Sequence, residues 1–213
     1  INYERAKINY ELGNLTKTDY LKAESDYKQA IASLELAKTI VVTNKRNVLI
    51  NCGYNMNENI ELGNIIHISS EQVDIRNDFS DKNTAFDNNL RYQIFEIQLE
   101  NSHSDETKAT NKINIDNAYS YITNDIDSKY NAMHDALTSI YTGALAYKTS
   151  VDNYEYAKAS FDEGAISKKE LNLSRVNTAV TKLDAELKYF DLDIAYENYM
   201  ASVDGLAKAS ATD

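Results

Sequence analysis

Asn-Tyr-Glu-Arg-Ala-Lys at residues 2–7 returns as Asn-Tyr-Glu-Tyr-Ala-Lys at residues 153–158, and the residues after each copy decide the fold. Each copy leads into an aromatic (Tyr10, Phe161), a glycine (Gly13, Gly164) and an aliphatic residue (Leu15, Ile166). A hydroxyl residue is next (Thr16, Ser167), with an acid three positions on (Asp19, Glu170). Self-similarity of this kind constrains the architecture ahead of any local reading. Each copy predicts one helix ending and another beginning. Glycine adopts the left-handed conformation that closes a helix without a Cβ penalty. Thr16-x-x-Asp19 and Ser167-x-x-Glu170 have capping-box spacing, Asp being the weaker partner at the third position. Leu15 with Tyr20, and Ile166 with Leu171, occupy the hydrophobic-staple positions. Two tight αα-hairpins are expected.

Composition points the same way. The 213 residues include no proline and only six glycines, where an ordinary chain is about 5% proline. Few breakers favour long helices. The formal charge of −11 argues against a nucleic-acid ligand, which needs a basic face, and against a polybasic membrane contact. Cys52 stands alone, so no intrachain disulfide can form. No apolar run reaches the length of a membrane-spanning helix. The chain opens on Ile1 inside a helical pattern and is read as a piece of a longer protein, with any signal peptide outside it.

From the tips outward, residues 1–12 read as the tail of a helix and 16–50 as its partner. Tyr20, Ala23, Tyr27, Ala30, Leu34, Ala37 and Val41 alternate steps of three and four and predict a seam. Residues 51–84 lose the period; Ile60, Leu62, Ile65, Ile66 and Ile68 suggest one or two short strands, and 70–82 a short helix. A helix over 85–101 precedes a turn at 101–106. One long helix then runs over 107–162, its seam passing through Tyr119, Ile122, Ile126, Tyr130, Met133, Leu137, Ile140, Ala144, Tyr147, Val151 and Tyr154. Gly143 is a mild weak point in it. The last helix carries Leu173, Val176, Val180, Leu183, Leu187, Phe190 and Ile194, a near-ideal series expected to pack back on its predecessor. Residues past about 208 are expected to fray.

Chemistry-bearing patterns are few. His67, His103 and His134 fall in separate segments with no second ligand at metal spacing. There is no phosphate-binding glycine loop, nucleophile elbow or HExxH. The sequence therefore predicts no catalytic residues, no metal and no cofactor, and a protein that is not an enzyme.

A long helix, a Gly-x-aliphatic-Ser/Thr-x-x-acid turn and a second long helix, duplicated in one chain, resemble the TolC-like outer-membrane efflux proteins. The likeness is best defined over Tyr10–Leu21 and Phe161–Leu171. It implies a mainly α fold of long antiparallel coiled-coil hairpins, the protomer of an α-helical barrel, with a small mixed α/β equatorial segment. It would divide the chain into a first, truncated hairpin (1–50), the equatorial segment (51–84), and an ascending helix, short turn and second hairpin (85–213).

The resemblance further implies a trimeric conduit of a tripartite efflux or type I secretion system in the cell envelope, spanning outer membrane and periplasm. A periplasmic adaptor protein would meet the tips at Gly13, Leu15, Thr16, Gly164, Ile166 and Ser167. Glu170 falls where some relatives ring the closed tunnel mouth with acids, beside its reading as a capping residue. Two features depart from the family. Asn14 and Ala165 separate each glycine from its aliphatic. The turn at 101–106 is also far too short for the two barrel strands that relatives carry there, each of about 9 to 11 residues. The barrel-less alternative is a coiled-coil spacer of the cell envelope without a pore, extracytoplasmic if the source is Gram-positive.

Overall fold

A computed structural model describes residues 2–56, 58, 60 and 63–210. The protein is mainly helical, with α1 (Asn2–Glu11), α2 (Lys17–Asn51), α3 (Ser70–Asp74), α4 (Asp78–Asn88), α5 (Leu90–Glu100), α6 (Asp105–Asp162) and α7 (Lys168–Ala201). A π-turn over Ser202–Leu206 continues from α7. No strand forms among the described residues. Ile65 and Ile66 are exposed in irregular backbone where strands were expected, while α3 and the start of α4 occupy the short helical stretch expected over 70–82. Leu62, read with them, lies outside the described residues.

The chain divides into two compact units, Ile1–Asn64 and Ile65–Asp213. In the first, α1 lies against the start of α2 through stacked tyrosines. Tyr3 stacks on Tyr27 at 4.8 Å and Tyr10 on Tyr20 at 4.9 Å. Ten residues of α1 reach only that far, so Leu34 and Val41, read as seam residues, stand exposed. Gly53, at φ 80°, ends α2 with the same closing bonds found at the two tips, Gly53 N–H to Ile50 O and Tyr54 N–H to Leu49 O.

The second unit is organised by α6, whose 58 residues rise about 87 Å at 1.5 Å each. Ile122, Ile126, Met133 and Ile140 are buried as their spacing predicts, whereas Tyr119 and Ala144 face solvent. Ile122, Ile126, Met133 and Ile140 join Val73, Ala85, Ala118, Leu192, Tyr199 and Val203 in one core. Several buried polar groups there are paired, although Thr123 Oγ1 and His134 Nε2 on α6 are buried without a partner. The Asp81 carboxylate accepts from Arg76 Nη2 at 2.7 Å and Nε at 3.1 Å. Lys129 and Ser202 share Asp125.

Residues 85–101, expected as one helix, break at Asn89. Its Oδ1 caps α5 by accepting Tyr92 N–H, and its Nδ2 donates to the carbonyls of Gly205 and Ala207. Asn88 likewise donates to Val203 O. These bonds hold the chain end against α4. Ala207 and Ala209 are buried, so the tail is packed through Ala209 rather than frayed from 208; residues 211–213 lie outside those described.

Candidate functional site

Both sequence-predicted tips form, and they form alike. At the first, Gly13 N–H bonds Tyr10 O and Asn14 N–H bonds Asn9 O; at the second, Gly164 N–H bonds Phe161 O and Ala165 N–H bonds Ser160 O. This is the Schellman closure, and it places Gly13 at φ 74° and Gly164 at φ 76°. Ser167 and Glu170 complete a capping box: Glu170 N–H donates to Ser167 Oγ, and the Glu170 carboxylate accepts Ser167 N–H at 2.7 Å. That backbone bond, with the Ser167 side chain, lowers the Glu170 pKa below the usual glutamate value.

At the first tip Thr16 Oγ1 accepts Asp19 N–H, but the Asp19 side chain is one methylene shorter and accepts a hydrogen bond from the Thr16 hydroxyl instead of from its backbone N–H. Leu15 and Ile166 are half-buried at the start of each second helix. The two tips fall in different units, each described by itself.

The last helix corrects a sequence expectation. Leu173, Val176, Val180, Leu183, Leu187, Phe190 and Ile194 do not pack on α6; each is between 38% and 62% exposed. The face turned to α6 is a second series with the same alternating spacing, two residues out of step. Thr178 Oγ1 reaches Ser150 O at 2.9 Å, Thr181 Oγ1 reaches Ser150 Oγ at 2.8 Å, and Leu192 and Tyr199 are buried. Gly143, read as a weak point, lies directly against α7: a Cβ there would lie 3.3 Å from Lys188 Cγ and 3.4 Å from Ala185 Cα.

Small and hydroxyl side chains let two helices approach closely while their polar groups bond across the gap. The bulky series would hold the helices apart. One sequence signal could have revealed this. Shifting the seam read for α2 by the 151 positions between Gly13 and Gly164 lands on Leu171, Ser174, Thr178, Thr181, Ala185, Lys188 and Leu192.

Sequence reasoning also missed a corner near the top of the outward stripe. Asp193 accepts Ile68 N–H at 2.8 Å and lies 2.7 Å from His67 Nδ1. The His67 ring meets Phe190 edge-on at 4.9 Å and tilts against Tyr189 at 5.3 Å. Asp193 thereby ties the segment before α3 to α7. With Glu186, these rings line an open cavity of about 420 Å³.

No protein-family model, curated protein or solved structure matches the chain. Among the described residues, no helix is long and apolar enough to cross a membrane, and no group of three His, Cys, Asp or Glu side chains could hold a metal.

Proposed function

We propose that the chain is a non-enzymatic component of a conduit, of the tripartite-efflux or type I secretion kind, built by lateral assembly of copies. The observation that carries this reading is the outward stripe of α7. Its apolar band, 22 residues from Leu173 to Ile194, is about 32 Å long on a helix roughly 10 Å wide, near the largest apolar patch that monomers usually expose. Coiled-coil contact between neighbouring hairpins would cover it.

The duplicated tips support docking to an adaptor protein through Gly13, Leu15, Thr16, Gly164, Ile166 and Ser167, their rigid closure presenting Leu15 and Ile166 in fixed positions. Glu170, exposed and held ionised by its box, would add negative charge at a tunnel mouth. An acidic lumen attracts cations over about a Debye length, roughly 8 Å at physiological salt. The trimeric state and the cell-envelope location belong to the same proposal.

The connection 101–104 favours a second reading, a barrel-less spacer without a pore. It is closed by Ser102 Oγ–H to Gln98 O and by Asn111 Nδ2 to Ser102 Oγ, and α5 passes directly into α6. Small-angle X-ray scattering over a concentration series separates the two. An elongated hollow particle of trimer mass supports the conduit. A solid rod-like assembly favours the spacer, and a thin monomer at every concentration overturns the assembly on which the conduit depends.

A further inference from the structure

Resting on that assembly reading, we propose that the upper half of the α7 stripe docks the second half of α2 from another copy of this chain, the helices running parallel. Beyond Tyr27, where α1 ends its cover, α2 exposes Ala30, Leu34, Ala37 and Val41. α7 exposes Leu183, Leu187, Phe190 and Ile194. Both series step four, three, four. In parallel register the bulky Leu183 and Phe190 meet Ala30 and Ala37, while Leu187 meets Leu34 and Ile194 meets Val41. Large side chains facing small ones fill a seam without strain.

Charge selects this occupant over others. Over the matched span Ala30–Val41, α2 carries Lys38 against Glu35, and Lys45 and Arg46 follow just beyond it, in a chain of net charge −11. From Lys182 to Ile194, α7 carries Asp184, Glu186, Asp191 and Asp193 against Lys182 and Lys188, Lys182 lying 3.5 Å from Glu186 in an exposed pair. The register sets Glu186 beside Lys38, at positions where coiled-coil partners exchange flanking charges. Lys38 meanwhile holds Glu35 in an exposed pair that is readily exchanged. Two α7 stripes facing each other would instead oppose acid to acid. In a ring of copies, each offers its α7 stripe to one neighbour and its α2 face to the other, so every copy takes part in two such seams.

The test uses the full chain with Cys52→Ser. Copies carrying Ala37→Cys are mixed with copies carrying Phe190→Cys and oxidised with copper–phenanthroline. The expected product is a disulfide-linked species of twice the chain mass, formed at least tenfold more than with Thr39→Cys, on the far side of α2. Glu186→Lys and Lys38→Glu should each weaken association several-fold, and mixing the two variants should restore it. Equal capture by Thr39→Cys, or linkage only within a chain bearing both cysteines, overturns the pairing. So does charge reversal without rescue, with circular dichroism showing intact helices. Assembly in scattering without the Ala37–Phe190 link sinks this pairing alone; a monomer throughout sinks the conduit reading as well.

Discussion

The Tyr199 hydroxyl donates to Asp81 Oδ2 at 2.7 Å across 118 positions of sequence, and both side chains are buried. Arg76 closes the other side of the same carboxylate. The arrangement joins α4 to the end of α7. Tyr199→Phe removes one bond to a charged group and should lower stability by about 1.5–3 kcal/mol. Asp81→Ala leaves both partners uncompensated and should cost about 3–5 kcal/mol. Urea unfolding monitored by circular dichroism gives both values; equal losses would refute the shared carboxylate.

The same contact has a pH signature. Burial first, then the bond to Asp81 and its charge, raise the Tyr199 pKa well above 10.0. A raised folded value contributes stability that is complete below pH 10 and is lost as pH climbs toward the folded value. Wild type should therefore weaken in alkali, and Tyr199→Phe should show a flatter alkaline limb. Unfolding midpoints from pH 8 to 12 measure the difference.

Gly205 and Gly13 both hold positive φ, at 102° and 74°, but only one is crowded. A Cβ at Gly205 would collide with the Asn88 carbonyl, whereas at Gly13 it meets open space. Gly13→Ala should cost about 1–2 kcal/mol, the left-handed penalty alone. Gly205→Ala should lose more, because Asn88 and Asn89 must shift from the carbonyls they hold. Thermal melts of the two variants side by side test the ranking.

Leu192 and Leu187 sit five residues apart on α7 yet on opposite faces, at 1% and 48% exposure. Leu192→Ala should cost about 2–5 kcal/mol as a cavity. Leu187→Ala should stay within about 1 kcal/mol in the isolated monomer. Chemical denaturation at low protein concentration decides, and reversed values would return the seam to the bulky series.

At the second tip, Ser167→Ala removes the cap of α7 and should cost about 1 kcal/mol. Glu170 has a lowered folded pKa, so its contribution is present above its ordinary value of 4.5 and fades as pH falls through the folded value. Glu170→Gln should flatten that acid limb, read as the midpoint of urea unfolding between pH 2 and 6. An unchanged acid limb would mean the box is not held in solution.

Much of this protein is written locally. The Gly-x-aliphatic-hydroxyl-x-x-acid turns specify their own backbone, because a left-handed glycine and a capping side chain act within six residues. That is why Gly13, Gly164, Ser167 and Glu170 stand as read. The long uninterrupted period of α6 likewise fixed its extent, and Ile122 to Ile140 its buried face. Three things needed the tertiary structure. Which stripe of α7 turns inward depends on how closely Gly143 lets Ala185 approach, a property of two helices together. The break at Asn89 exists because carbonyls from Gly205 and Ala207, over a hundred residues away, satisfy its amide. Isoleucines 65 and 66 stayed out of a strand because a strand needs a neighbour. Periodicity shows that a face is apolar; what meets that face is decided by packing partners distant in sequence.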